Sequence, residues 1–173
     1  YESWKLRKDD GQALSSVGLP DYRYSKDYIV RQLEGRGAKV EMRWGEIAHV
    51  TFENIDHPPD RQVMEYLVYA RRLQTLNLGR VQIEDADLDA LSELTHLTQL
   101  KCNSELITDK GLAHLGSLGQ LRELALIHSQ ITGVGALEQL DKVKNLEIMN
   151  LYGSALNDAG LAELARLAAL KQV

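Results

Sequence analysis

Apolar side chains recur along most of the chain in one short phrase. Leucine or a similar residue occupies the first, fourth and sixth positions of this phrase, which starts at residues 73, 97, 121, 146 and 170. Successive starts lie 24, 24, 25 and 24 residues apart, and the sequence ends three residues into the last copy. A repeat of this length predicts a solenoid, in which each unit buries its apolar edge against neighbouring units.

Each unit follows the same order of polar and apolar positions. The phrase predicts a short β-strand that contributes three side chains to the core. A loop and a further apolar residue follow, and then apolar residues at a spacing of three predict a helix with one buried face. The predicted buried helix residues are Leu88, Leu91, Leu94, Leu112, Leu115, Leu118, Leu137, Leu140, Val143, Leu161, Leu164 and Leu167.

Acidic residues stand at equivalent places just before three of these helices. Asp85, Asp109 and Asp158 occupy this position, whereas the third unit has Gly133 there. A carboxylate at a helix start accepts hydrogen bonds from unpaired backbone N–H groups and complements the helix dipole, for about 1 kcal/mol each. We therefore expect these aspartates to cap their own helices.

The N-terminal part has a different pattern. Ser25 is a suitable N-cap for a helix through Glu34, and alternating stretches at 38–44 and 46–52 with Gly45 between them predict a β-hairpin. The second hairpin strand fits the repeat phrase and is interpreted as a divergent first unit. The predicted organisation is an irregular arm at 1–24, a helix and hairpin cap at 25–46, and a repeat array at 47–173.

Two stretches connect this pattern to a known family. Residues 107–115 read ITDKGLAHL, and residues 156–164 read LNDAGLAEL. This phrase resembles the leucine-rich repeats of the cysteine-containing and ribonuclease-inhibitor-like subclasses. The layout of helix, hairpin and repeats is similar to leucine-rich-repeat proteins of planctomycete-type bacteria. That resemblance implies a membrane-anchored or cell-envelope location, although a cytoplasmic location and the identity of anything preceding Tyr1 stay open. The resemblance implies no single function.

The predicted fold is an α/β leucine-rich-repeat solenoid. It is expected to form a short right-handed arc, with parallel strands on the concave face, helices on the convex face, and the N-terminal helix and hairpin as a cap. A solenoid exposes apolar surface at an end that no polar cap covers. At the C-terminal edge, we expect a partner, a second copy or a continuing chain to cover the last strand.

Equivalent strand residues are expected to form columns on the concave face. One column reads His49, Thr75, Gln99, Glu123 and Ile148; the next reads Thr51, Asn77, Lys101, Ala125 and Asn150; the third reads Glu53, Gly79, Asn103, Ile127 and Tyr152. Apolar anchors surrounded by polar groups are typical of protein-binding surfaces. The predicted partner-binding residues are therefore Tyr152, Ile148, Ile127, Asn150, Glu123 and Lys101.

Composition and charge narrow the choice of partner. The formal net charge is -5, divided into +1 for residues 1–46 and -6 for residues 47–173. An acidic repeat region argues against nucleic acid as the main partner, because phosphate binding needs a basic stripe. No apolar run reaches the length of a membrane span. The single cysteine excludes an intrachain disulfide.

The sequence offers little support for catalysis. The five histidines, at positions 49, 57, 96, 114 and 128, form no metal-binding pair on one helix, so no metal and no cofactor are predicted. Cys102 faces the core by its register, and no nucleophile-elbow, phosphate-loop or dinucleotide motif occurs. A hydrolase or metal enzyme would need convergent titratable groups near His49, and this alternative is disfavoured.

The pattern as a whole predicts a non-enzymatic protein-interaction module. It is expected to bind a protein partner through the concave face or the C-terminal edge, and self-association through that edge is a further alternative. A second interpretation is a structural subunit of a larger, membrane-attached assembly, held through its N-terminal arm. The first eight residues of the arm contain Tyr1, Trp4 and three basic residues, a mixture typical of membrane interfaces and of docking segments.

Overall fold

A computed structural model describes residues 25–52 and 59–173 of the 173-residue chain. The predicted arm at 1–24 lies outside these residues, as do Glu53 and His57. The helices are α1 (Lys26–Glu34), α2 (Val63–Leu67), α3 (Asp85–Leu88), α4 (Ala136–Leu140) and α5 (Asp158–Leu164). Short 3₁₀ helices span Asp89–Glu93 and Asp109–Leu115.

Within the described residues, the strands form one six-stranded sheet in the order of the sequence. They are β1 (Ala38–Arg43), β2 (Glu46–Phe52), β3 (Thr75–Arg80), β4 (Gln99–Asn103), β5 (Glu123–Ile127) and β6 (Ile148–Asn150). The hairpin partner β1 runs antiparallel to β2, and each later strand runs parallel to the one before it. This sequential parallel sheet, with a helical segment between strands, is that of a leucine-rich-repeat solenoid.

The predicted ladder forms the core. Leu76, Leu100, Leu124 and Met149 are aligned across neighbouring strands, and each is at most 1% exposed. One continuous apolar cluster joins α1 and the hairpin to the repeat units. Cys102 takes a leucine position in this cluster and is completely buried, so it serves there as a small apolar side chain.

Leu137 lies outside the described side chains; among the others, convex-side packing agrees with the predicted helix faces except at one position. The leucines at 88, 112, 115, 118 and 164 are fully buried, whereas Leu161 is 46% exposed. The prediction of a buried Leu161 is therefore wrong. The segment containing Leu112 packs against helical segments of the units on both sides, whereas α5 packs mainly against α4 among the described residues. One side of Leu161 consequently remains accessible.

The aspartates before the helices have a different role from the predicted one. The side chains of Thr108 and Asn157, each one residue earlier, accept the capping hydrogen bonds from Lys110 and Gly160 N–H groups. Asp109 instead accepts hydrogen bonds from the hydroxyl and N–H groups of Thr132 in the following unit. The aspartates at 85 and 109 therefore join successive units.

Candidate functional site

The predicted columns lie on the sheet face opposite the core, which is called the outer strand face below. Strand pairing aligns Gln99 with Glu123 and Ile148, and it aligns Lys101 with Ala125 and Asn150. These two columns have the predicted register.

The third column departs from its predicted register at one end. Asn103 aligns with Ile127 as expected, but it aligns with Arg80 rather than Gly79. The register shifts between Asn77 and Arg80, so that β3 has one more residue than β4 over this stretch. The predicted position of Gly79 in the column is therefore wrong, because a bulge adds a residue to one strand without adding one to its neighbour.

The middle of the outer strand face is polar and internally bonded. Gln99 Nε2 donates a hydrogen bond of 2.6 Å to Glu123 Oε2 on the next strand. Lys101 is exposed, but its neighbour Ala125 is only 4% exposed. Among the predicted binding residues, Lys101 thus offers an accessible charge, whereas Glu123 already has a polar partner within the protein.

Apolar side chains become accessible at the β6 end of this face. Tyr152 is 72% exposed and Ile148 is 37% exposed, while Ile127 is half-buried. By contrast, Met149 on β6 and Leu151 just after it face the core. An exposed aromatic ring and an exposed aliphatic side chain on one face of a sheet are the type of anchor that protein partners bind.

Asn150 restrains the backbone of Tyr152, two residues further along the chain. Its Oδ1 atom accepts a 2.9 Å hydrogen bond from the backbone N–H group of Tyr152, and Asn77 Oδ1 accepts the equivalent bond from the Gly79 N–H group three units earlier. An asparagine that bonds the backbone two residues ahead forms a local turn. Asn150 therefore positions Tyr152, in addition to being accessible itself.

His128 belongs to the same surface, although sequence reasoning did not include it. Its ring meets the Tyr152 ring edge to face, with centroids 5.5 Å apart and an interplanar angle of 79°. The backbone N–H group of His128 also donates a 2.8 Å hydrogen bond to the Tyr152 carbonyl oxygen. The only indication in the sequence was that His128 directly follows Ile127, a residue of the third predicted column. His128, Tyr152, Ile127 and Ile148 are called the aromatic patch below.

Local backbone geometry holds the two rings of the patch together. His128 has a φ of 55°, an uncommon conformation for a residue with a side chain. Gly153 has a φ of 69°, and a methyl group on its Cα would collide with the His128 ring. A glycine at 153 is therefore required by the close approach of His128 as well as by its own backbone conformation.

Charged residues flank the patch near the starts of the last strands. Glu147 accepts hydrogen bonds from Lys171 at 2.7 Å and from Arg122 at 3.1 Å. The hydrogen bond and charge of Lys171, followed by the charge of Arg122, hold the pKa of Glu147 below its ordinary value. Glu147 therefore remains ionised and paired near neutral pH.

The groups considered for catalysis are dispersed. His96 Nε2 lies 2.8 Å from Arg72 Nη1, His114 lies 3.5 Å from Asp89, and His49 faces Glu41 across the hairpin. Within residues 25–52 and 59–173, no three histidine, cysteine or acidic side chains are grouped to hold a metal ion. Burial raises the pKa of the Cys102 thiol to about 12, so this thiol is uncharged near neutral pH and is a poor nucleophile.

Comparisons with known proteins agree with the architecture. No family model and no curated protein sequence matches this chain. The chain is similar to the crystal structure of an internalin (inlF) from Listeria monocytogenes, with 23% sequence identity and a TM-score of 0.52. That similarity covers 62% of this chain and 29% of the internalin.

A second internalin of the same organism, internalin C2, gives 23% identity and a TM-score of 0.46, covering 62% of this chain and 44% of that protein. The chain thus spans less than half the length of either internalin. The likeness to the first supports a leucine-rich-repeat fold.

Proposed function

We propose that this protein is a non-enzymatic interaction module that binds a protein partner through the concave, outer strand face. The binding site is the aromatic patch, with Lys101, Glu123 and Asn150 as its polar surroundings. The observation that carries this proposal is the joint exposure of Tyr152 and Ile148 on a face whose other apolar residues are largely covered. The leucine-rich-repeat architecture supports it, since stacked repeats form extended binding surfaces.

The patch has the properties of a binding anchor. Tyr152 offers a large ring with few rotatable bonds, and its position is restrained by Asn150 Oδ1 and by the His128 ring. Restraint before binding lowers the entropy cost of ordering the interface. The neighbouring Gln99 amide already donates to one carboxylate oxygen of Glu123, so a partner that covers this carboxylate has to supply donors for its remaining acceptor positions.

Affinity capture with matched variants tests the proposal. The bait proteins are the wild-type chain, the double variant Ile148→Ala/Tyr152→Ala, and the control Leu161→Ala, which removes an exposed leucine from a helix. We expect a stoichiometric partner to bind the wild type and the control but not the double variant. Similar melting temperatures of all three chains would show that the substitutions leave the fold intact.

The alternative function gives a different capture pattern. A structural subunit held through its arm would keep its partner in the double variant and lose it when residues 1–24 are removed. That result would contradict binding through the aromatic patch. Self-association through the C-terminal edge would appear instead as a concentration-dependent mass in sedimentation experiments on the purified chain.

A further inference from the structure

The turn of the β1–β2 hairpin contains an unusual residue. Arg43 pairs with Glu46, so Trp44 and Gly45 are the two central residues of the turn. Their φ angles are 49° and 77°. Positive φ at both positions defines the turn type that matches strand twist, and asparagine or aspartate followed by glycine is strongly preferred there. Tryptophan, by contrast, rarely adopts this conformation.

The described part of the fold gains little packing from the Trp44 side chain. Its residue is 93% exposed, and its ring makes no aromatic or cation–π contact with the described residues. A strained backbone conformation at an exposed position is consistent with a role outside folding. Trp44 therefore combines a conformational cost with the exposure of a large apolar surface to water.

A second apolar side chain lies close to the turn. Met42 is 44% exposed, and the strand register shifts between Glu41 and Met42. Bulges of this type redirect side chains at the edge of a sheet. On the other side of the turn, a methyl group added at Gly45 would meet no atom within 4 Å. Residues 42–45, called the hairpin tip below, therefore form a small protrusion with two apolar side chains.

The charges around the hairpin tip are balanced or positive. Glu41 forms a 3.0 Å ion pair with Lys39, and Glu46 forms a 2.8 Å ion pair with Lys26. The Lys26 ammonium group also donates a hydrogen bond to the Gly45 carbonyl oxygen. Arg43 is also exposed, so the residues around the tip include three cationic side chains and two carboxylates. Both carboxylates have cationic partners, so little negative charge is left to repel phosphate groups.

We propose that the hairpin tip contacts a phospholipid bilayer, with Trp44 and Met42 in the interfacial region and Arg43 beside the lipid phosphates. Tryptophan favours this region because its ring is apolar and its N–H group remains hydrated or hydrogen-bonded. A protein-binding anchor normally sits within a ring of further contacts, whereas the hairpin tip is a narrow protrusion surrounded by ion pairs. The inference does not depend on the proposed protein-binding function.

Tryptophan fluorescence provides a direct test. The 173-residue chain contains two tryptophans, so Trp4→Phe leaves Trp44 as the sole reporter. The probes are vesicles of phosphatidylcholine alone and of equal parts phosphatidylcholine and phosphatidylserine. We expect a blue shift, protection from acrylamide and quenching by brominated lipid, all stronger with phosphatidylserine.

The variant Trp44→Asn separates lipid contact from folding. Asparagine suits the turn, so this variant should melt at a higher temperature than the wild type but sediment less with vesicles. Met42→Ser should also weaken sedimentation. If Trp44 stays accessible to acrylamide with both vesicle types, or if Trp44→Asn sediments as well as the wild type, the proposal is wrong and a protein pocket becomes the better ligand for Trp44. Equal binding to both vesicle types would contradict the assigned role of Arg43.

Discussion

Single aspartates connect neighbouring units at the start of the helical segments. Asp85 accepts hydrogen bonds from the N–H and hydroxyl groups of Thr108, at 2.8 and 2.7 Å. Asp109 repeats this arrangement with Thr132 and also accepts from the Gly133 N–H group. Each carboxylate therefore satisfies polar groups of the following unit, and its loss leaves several donors unpaired at once.

Removing one of these carboxylates should destabilise the fold measurably. We expect Asp109→Ala to lower the free energy of unfolding by about 1–3 kcal/mol, because partly buried donors of Thr132 and Gly133 lose their acceptor. Asp158→Ala is the matched control, since Asp158 occupies the same position in its unit but is exposed. Its effect should stay within about 0.5 kcal/mol. Urea denaturation of both variants measures the difference, and equal losses would contradict the inter-unit role.

The strands followed from the sequence more completely than the helical segments did. The strands are positioned by buried side chains such as Leu76 and Leu100. Buried positions require apolar residues, and these recur in the sequence at the repeat period. The helical segments also depend on hydrogen bonds between units. The segment Asp109–Leu115 is a 3₁₀ helix, and its leucine spacing of three is compatible with that tighter helix. Leucine spacing alone therefore predicted the buried face but not the helix type.

The candidate site was predictable only in part for a similar reason. The repeat period placed Ile148 and Asn150 in register, and it identified the apolar character of the β6 end. It could not show that Ala125 is buried on the outer strand face, or that a bulge shifts Arg80 into a column. His128 was missed because its contact with Tyr152 depends on a positive φ, which residue types alone do not indicate.

A pair of substitutions distinguishes the core face of the strands from the outer face. Leu124 lies at the centre of the ladder and is fully buried, so Leu124→Ala should cost roughly 2–5 kcal/mol through cavity formation. Tyr152→Ala removes an exposed ring and should change stability by no more than about 1 kcal/mol, with partner binding weakened. Chemical denaturation provides the comparison. A collapse in stability for Tyr152→Ala would place that ring in the core and overturn the proposed site.

At the scale of the whole molecule, the two proposed surfaces occupy different ends of one sheet. The hairpin tip belongs to β1 and β2, whereas the aromatic patch belongs to β5, β6 and the residues that follow them. One apolar cluster links both ends. Because each solenoid unit contacts mainly its neighbours, a substitution in the patch should leave lipid contact at the hairpin tip unchanged, and a substitution at the tip should leave partner capture unchanged.

The sole cysteine provides a probe of the complete array. Cys102 lies on β4 and is fully buried, with its pKa raised to about 12. Alkylation requires both access and the thiolate form. We therefore expect iodoacetamide to modify the native chain very slowly at pH 8 and to react rapidly after denaturation in urea. Rapid reaction of the native chain would show that the middle of the array opens readily.

The same thiol makes stability depend on alkaline pH. In the unfolded chain it ionises near its ordinary pKa of 9.0, whereas in the folded chain burial keeps it protonated up to about pH 12. Its contribution to stability is therefore fully present below pH 9 and is lost as the pH rises through 9 toward 12, by at most about 1.4 kcal/mol per pH unit. Cys102→Ala lacks this titration, although a cavity lowers its stability at every pH. Lysine and tyrosine ionisation is common to both chains, so the difference between their unfolding free energies should shrink across this interval. A constant difference would show that the thiol is hydrated in the folded protein.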